Sequence, residues 1–369
     1  MKRDPYPIPH APSVDISRRC FLGQAGTGAL LLGLGGLTLS EHAFAAVPRA
    51  AESATGSPVS PAAQTALVVA ADPTRLPSPI QRKYSVHHDI TLEAKEVRGR
   101  LADGSVFDFM TWNGQVPGPM IRVRQGDTIT LTVRSAASNT RPHSIDMHAV
   151  FGTGGGSSAT LMPPGGSRRE FFKCMYPGAF IYHCAVPNMD EHISRGMFGM
   201  IVVEPEDGLP PVDREFYLGQ HELYTKEAFG STGLLQFDYA SMEHEDPNFV
   251  LFNGTVGAFT GASALKAKVG ETIRVFLVSG GPNLTSSFHP IGNVWKNCWP
   301  QGALANAPLR YVQTQSVPPG SCFVGEMECP VPETIKLVDH ALTRVVRKGL
   351  LAEIAVEGPA KPGIYRAIS

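Results

Sequence analysis

Short runs rich in valine, isoleucine and threonine recur along most of the chain, and turn residues separate them. Residues 121–133 (IRVRQGDTITLTV) and 274–278 (RVFLV) are two examples. Alternating apolar and polar positions put every second side chain on one face, which is typical of half-buried β-strands. The sequence therefore predicts an all-β protein, and its 369 residues provide for about two domains of ordinary size.

The chain also repeats itself at a long spacing. Asn113 and Gly114 recur as Asn253 and Gly254, and the turn at 163–165 recurs at 318–320. A spacing this long indicates a duplicated domain rather than a solenoid. We therefore predict two tandem copies of one β-sandwich, at residues 81–208 and 209–358. The proline-interrupted stretch 208–213 forms their boundary, and a C-terminal tail follows at 359–369.

The N-terminus is typical of an export signal. Arg18 and Arg19 precede a run rich in glycine, alanine and leucine that ends at Ala43, Phe44 and Ala45. We expect a twin-arginine signal peptide over residues 1–45, cleaved after Ala45, and export to the periplasm. Residues 46–80 are rich in alanine, proline and serine, which predicts a flexible linker.

The charge of the chain limits the classes of partner, and its cysteine count limits the possible states of the thiols. Charged residues make up 18% of the chain and the formal net charge is -1, which argues against nucleic acid and favours a small-molecule or protein partner. Removal of the signal peptide leaves five cysteines, an odd number, so at least one thiol is free, metal-bound or paired between chains. Any pairing among Cys174, Cys298, Cys322 and Cys329 stays open.

Two histidines, a cysteine and a methionine in the first copy match the ligand set of a blue-copper site. Cys184, His192 and Met197 come from one loop, IYHCAVPNMDEHISRGM, and His143 comes from RPHSIDMHA. Because consecutive side chains of a strand point to opposite faces, His183 and Cys184 cannot serve the same site. This partition predicts an electron-transfer copper at His143, Cys184, His192 and Met197.

The remaining residues indicate a second metal. His148 and His183 would bind it, and Asp146 would lie beside it because residues two apart in a strand share a face. In the repeat, His183 corresponds to His340 and His143 corresponds to His289. His340 is the candidate third ligand and His289 a candidate acid opposite Asp146, since an open three-histidine site suits a catalytic copper.

These motifs resemble the copper nitrite reductases, specifically the short class that includes the outer-membrane enzyme of Neisseria. The resemblance covers about residues 81–358 and rests on HSIDMHA, YHCAVPNMDEHISRGM, GGPNLTSSFHPIG and LVDHAL. It implies two cupredoxin-like Greek-key sandwiches with two coppers per chain. His143, Cys184, His192 and Met197 would hold the type 1 copper, and His148, His183 and a neighbouring subunit's His340 the type 2 copper. Pro290, Cys298, Cys322 and Cys329 depart from the family pattern.

The resemblance further implies the reaction and the partners. Nitrite would be reduced by one electron to nitric oxide and water in a homotrimer, with Asp146 and His289 delivering protons and Ile291 capping the substrate pocket. A c-type cytochrome or small cupredoxin would donate the electron. Two alternatives remain, a multicopper oxidase and a non-catalytic cupredoxin electron carrier. A multicopper oxidase should contain His-x-His pairs. An electron carrier would leave four residues without a role: Asp146, His148, His289 and His340.

Overall fold

The protein is described by a computed structural model that covers residues 66–368. The predicted signal peptide, the first part of the predicted linker and Ser369 lie outside the described residues. The first half of the described chain contains eight strands: β1 (His87–Ala102), β2 (Ser105–Trp112), β3 (Ile121–Arg124), β4 (Thr128–Ser135), β5 (Asp146–Met147), β6 (Ser167–Lys173), β7 (Gly178–His183) and β8 (Phe198–Glu204).

The second half contributes twelve further strands: β9 (Arg214–Leu223), β10 (Gly233–Leu235), β11 (Phe249–Phe252), β12 (Leu265–Lys268), β13 (Thr272–Gly281), β14 (Ser286–Ile291), β15 (Trp295–Trp299), β16 (Leu309–Val312), β17 (Gln315–Val317), β18 (Ser321–Glu328), β19 (Glu333–Asp339) and β20 (Ala352–Glu357). The α-helices are short: α1 (Ser157–Thr160), α2 (Met189–Ser194), α3 (Tyr239–Glu243) and α4 (Thr343–Lys348). Single 3-10 turns occupy Thr153–Gly156, Gly261–Ser263 and Pro300–Gly302. Among residues 66–368, no helix has the length and apolar character needed to cross a membrane.

Four sheets form two sandwiches, which confirms the predicted all-β class. The first pairs the sheet β10-β2-β1-β4-β6 with the sheet β3-β8-β7-β5, and the second pairs β11-β9-β13-β18-β15-β16 with β12-β20-β19-β14-β17. Non-consecutive strands lie side by side in all four sheets, as Greek-key connections require. Each sandwich has its own apolar core: Leu131 and Trp112 belong to the first, and Phe288 and Leu337 to the second.

A third apolar cluster joins the two sandwiches. Phe107 and Phe198 of the first sandwich belong to it together with Phe276 and Val324 of the second, and all four are fully buried. The predicted boundary at 208–213 falls between β8 and β9. One element crosses that boundary, because β10 pairs in parallel with β2 of the first sandwich. This pairing covers an edge strand that would otherwise expose unpaired backbone groups.

Buried charges also cross the contact between the sandwiches. Arg122 on β3 reaches Glu215 on β9 with an Nη1 to Oε2 distance of 2.6 Å, and Arg274 on β13 reaches the other oxygen of Glu215 at 2.7 Å. Glu204 pairs with Arg122, and Glu326 pairs with Arg274. Each guanidinium therefore has two carboxylate partners, as buried charges need.

The end of the predicted linker differs from the prediction. Residues from 66 onward are ordered against the sandwiches, and Val69 is fully buried. The backbone N–H of Ala71 donates to the carbonyl of Val116, and the N–H of Val116 donates to the carbonyl of Val69. The carbonyl of Ala71 accepts a further bond from the side-chain amide of Asn253. A flexible linker as far as residue 80 is therefore wrong for residues 66–80. The short apolar run at residues 66–71 (ALVVAA) explains the difference, since it can bridge to the sandwiches although the surrounding composition is rich in alanine and proline.

Candidate metal centres

The first candidate centre lies inside the first sandwich. The Sγ atom of Cys184 is 3.3 Å from Nδ1 of His192 and 3.7 Å from Nδ1 of His143. All three side chains are buried, and their ligand atoms lie within 4.8 Å of one another. One thiol and two imidazole nitrogens converging in this way form a donor set suited to a soft metal ion.

Local structure explains how these side chains meet. Cys184 follows the last residue of β7, and its backbone N–H donates to the carbonyl of Met197, 3.1 Å away. His192 lies on α2, whose first turn follows Asn188 in a left-handed conformation at φ 65°. His143 forms an isolated bridge with Met162. Met197 is fully buried and immediately precedes β8, so its backbone contact with Cys184 keeps it at the edge of the cluster.

Burial keeps the imidazoles of this cluster neutral and its thiol protonated in the absence of a cation. It lowers the pKa of His143 and lowers that of His192 to about 4. It raises the pKa of the Cys184 thiol to about 11. A bound cation reverses the effect on the thiol, because the thiolate is the form that ligates.

The second candidate centre contains Asp146, His148 and His183, whose ligand atoms also lie within 4.8 Å of one another. Asp146 pairs with His183 across β5 and β7, and the Nε2 atoms of His148 and His183 are 3.3 Å apart. Nδ1 of His183 lies 2.9 Å from the carbonyl of Cys184. Since a carbonyl only accepts, Nδ1 carries the hydrogen and Nε2 keeps a free lone pair. Nε2 of His183 is thus available to an ion, and it lies beside Nε2 of His148.

The remaining predicted site residues form a separate pair in the second sandwich. The rings of His289 and His340 have centroids 5.2 Å apart. Nδ1 of His289 donates to the carbonyl of Gln313 over 2.6 Å, and the backbone N–H of His340 donates to that of Ser287 over 2.8 Å. Ile291 lies two positions after His289 on β14 and is 39% exposed. Within residues 66–368, neither histidine belongs to the His148 and His183 cluster.

The glycine-rich segment at 152–157 lies against two carboxylates. A Cβ atom on Gly155 would lie 1.8 Å from Oδ1 of Asp146, and one on Gly156 would lie 2.2 Å from Oε2 of Glu170. Both glycines have positive φ, 57° and 96°, so any side chain there would also be strained. Burial and the nearby Asp146 charge raise the pKa of Glu170 to about 7.

Sequence reasoning missed several charged residues beside these centres. Glu170 gave no motif signal. Arg141 and Glu191 did give one, because they carry opposite charges and lie two residues before His143 and one before His192. They form an ion pair in the structure, with Nη1 of Arg141 2.6 Å from Oε2 of Glu191. The five cysteines among the described residues, Cys174, Cys184, Cys298, Cys322 and Cys329, form no disulfide.

Comparisons with known proteins identify the family. The model of the multicopper oxidase family matches residues 94–208. A copper-containing nitrite reductase of Neisseria meningitidis serogroup A is 43% identical over 78% of this chain and 74% of its own length. That of Cereibacter sphaeroides is 37% identical over 72% of this chain and 74% of its own.

A solved structure adds the same result at the level of the fold. The copper nitrite reductase from Nitrosomonas europaea superimposes with a TM-score of 0.67 at 32% identity, over 75% of this chain and 96% of that one. The two sandwiches of this chain are therefore of the cupredoxin type, as the resemblance implied. With 43% identity to a named member over 78% of its length, this chain belongs to the copper-containing nitrite reductase family.

Proposed function

We propose that this protein reduces nitrite by one electron, taking up two protons and releasing nitric oxide and water. The observation that carries the proposal is the position of His183 and Cys184. These consecutive residues enter two different ligand clusters, so two metal sites are joined by the backbone of two residues. An electron-transfer site joined covalently to a catalytic site is what repeated one-electron reduction requires.

The first cluster is assigned to a type 1 copper. His143, Cys184 and His192 provide two imidazoles and a thiolate, and the buried Met197 beside them provides a weak thioether ligand. Copper bound in both clusters supplies a one-electron redox couple and, at the second, a Lewis acid for nitrite. The surrounding protein keeps the first site dry, since all four side chains are at most 2% exposed.

The second cluster is assigned to a type 2 copper held by His148, His183 and His340 of a neighbouring subunit. The Nε2 atoms of His148 and His183 lie 3.3 Å apart, close enough to bind one ion, whereas His340 lies with His289 on the other sandwich. A closed ring of three chains would bring the second sandwich of one subunit against the first of the next and create three equivalent sites. This arrangement gives the His289 and His340 pair a role.

Proton delivery falls to Asp146 and His289. Asp146 lies within the ligand cluster, where its carboxyl can hold a hydrogen bond to bound nitrite and protonate the departing oxygen. His289 is oriented by its Nδ1–H bond to Gln313, which leaves Nε2 free to carry the second proton. Ile291, on the same strand and partly exposed, would cover the nitrite pocket and exclude water.

Location and electron supply follow from the same assignment. The twin-arginine stretch at 18–19 and the small-residue site at 43–45 support export to the periplasm. A c-type cytochrome or a small cupredoxin in that compartment would supply the electron.

The two rival functions fit less well. A multicopper oxidase needs paired His-x-His motifs for its trinuclear cluster, and the sequence contains none; Ala185 also stands after Cys184 where such enzymes have histidine. A pure electron carrier needs the first cluster alone and leaves the converging Asp146, His148 and His183 without purpose.

The test is an anaerobic assay of nitric oxide formation from nitrite with an artificial electron donor, together with copper analysis of the same preparation. We expect nitric oxide production and two coppers per chain. One copper per chain without nitric oxide would favour the electron carrier. Oxygen consumption in a parallel aerobic assay, without nitric oxide formation in the anaerobic one, would favour the oxidase.

A further inference from the structure

A buried carboxylate lies next to His192 at the first candidate centre. The side chain of Glu191 is fully buried, and Oε1 accepts a bond from Nε of Arg195 over 2.8 Å. Oε2 accepts from Nη1 of Arg141 over 2.6 Å and from the hydroxyl of Tyr239. Glu191 therefore pairs with two guanidinium groups and one hydroxyl, all of which donate to it.

A second carboxylate lies next to His143. Oε1 of Glu96 is 3.4 Å from Nε2 of His143, the ring atom that points away from Cys184. That Nε2 atom is buried and has no hydrogen bond of good geometry among the described residues, so Glu96 acts on it through charge. Glu96 also accepts bonds from the backbone N–H groups of Thr140 and Arg141, both over 3.0 Å.

Arg141 connects the two carboxylates. Its backbone is bound to Glu96 and its guanidinium to Glu191. Arg195, on the other side of Glu191, stacks over Phe107 and Phe237 at 5.2 and 4.8 Å and donates to the carbonyl of Asp108. The loop that carries His143 and the helix that carries His192 are thus linked through charges that are anchored in the surrounding core.

We propose that Glu96, Arg141 and Glu191 form one ionic network that positions both imidazoles of the first centre and sets its affinity and reduction potential for copper. The inference rests on the proposed function, since it presumes copper at His143, Cys184 and His192. The physical reason is that Glu96 places a negative charge 3.4 Å from Nε2 of His143, and Glu191 directly precedes His192 on the same helix. The network therefore holds the backbone segments that carry both rings, and its carboxylates raise the basicity of the imidazoles. A carboxylate also stabilises the oxidised, more positive ion.

The test compares copper-loaded full-length Glu96→Gln and Glu191→Gln with the unchanged protein. Copper affinity of the coloured site should fall roughly tenfold or more in each variant. The reduction potential should rise in both, because a negative charge beside the oxidised ion is lost. Asp108→Asn is the matched control: it removes one carboxylate charge from the same sandwich, but its side chain is 52% exposed and pairs with Arg98. The control should leave affinity and potential unchanged.

A further variant, Tyr239→Phe, and the visible spectrum of the unchanged protein keep the proposal testable. If Glu191→Gln fails to fold because two guanidinium groups lose their partner, Glu96→Gln and Tyr239→Phe carry the test, since Glu96 and Tyr239 are partly exposed. Tyr239→Phe should raise the potential by less than the carboxylate variants do. Unaltered affinity and potential in the folded variants would overturn the network. If the unchanged, copper-loaded protein has no intense visible band, the proposed type 1 site fails instead.

Discussion

The side chains of His183 and Cys184 leave one strand end in opposite directions and enter different ligand clusters. Nε2 of His183 lies 3.3 Å from Nε2 of His148, and Sγ of Cys184 lies 3.3 Å from Nδ1 of His192. The carbonyl of Cys184 also accepts the Nδ1–H bond of His183. Cys184 is therefore joined to His183 by one peptide bond and, through its own carbonyl, selects the tautomer of this proposed ligand.

Loss of the proposed proton donor should reduce turnover and leave the colour of the first centre unchanged. Replacing Asp146 by Asn keeps the side-chain volume but removes the acid, so nitric oxide formation should fall by about a hundredfold or more. The visible band of the first centre should be unchanged, since Asp146 lies in the other cluster. Steady-state assays and absorption spectra of the same sample check this, and unchanged turnover would contradict the role of Asp146.

Loss of the thiol should abolish colour and leave the second centre able to bind copper. We expect Cys184→Ala to bind one copper per chain, to be colourless and to make no nitric oxide from an external donor. Cys298→Ala is the control, because Cys298 is also a buried thiol but belongs to the core of the second sandwich. A coloured Cys184→Ala protein, measured with its copper content, would show that the first centre is assigned wrongly.

The shared catalytic site can be tested by mixing subunits. His148→Ala and His340→Ala should each be coloured and inactive. Coexpressed with two different tags and purified as mixed trimers, they should regain about a third of the active sites, because one interface in each mixed ring combines an intact first sandwich with an intact second one. Absence of activity in mixed trimers that retain their colour would indicate a site within one chain.

Glu170 should make stability depend on pH. Its pKa is raised in the folded protein to about 7, so the folded state holds more protons than the unfolded state between its ordinary pKa and pH 7, and stability falls as pH rises through this window. Glu170→Gln should therefore be more stable than the unchanged protein at pH 8 by roughly 2 kcal/mol, with no gain at pH 4. Thermal unfolding at both pH values measures it, with the exposed Glu243→Gln as control.

Loss of the ion pairs between the two sandwiches should lower the free energy of unfolding. Glu215 bridges Arg122 and Arg274, both of which have almost fully buried side chains. Glu215→Gln removes the negative charge that both buried guanidinium groups share, and it should lower the free energy of unfolding by about 3–5 kcal/mol. Urea unfolding checks the loss. Glu206→Gln, which removes a 65% exposed partner of Arg124, should cost less than about 1 kcal/mol.

Local pattern determined much of this protein in advance. Alternating apolar positions and the long repeat predicted two β-sandwiches, since strand period and domain duplication are written directly in the order of residues. The opposite orientation of His183 and Cys184 also followed from strand geometry alone, and the structure places their side chains in the two clusters that this geometry requires.

Contacts between segments that are far apart in the sequence were decided only by the tertiary structure. The bridge of residues 67–71 to the sandwiches, the pairing of β10 with the first sandwich and the approach of Glu170 to Asp146 join residues far apart in the chain. No periodicity specifies such contacts, because they arise when two surfaces that formed independently pack together. The ion pair of Arg141 and Glu191 depends on both the sequence and the tertiary structure. The sequence shows that the two charges flank predicted ligands, but only folding brings Nη1 of Arg141 within 2.6 Å of Oε2 of Glu191.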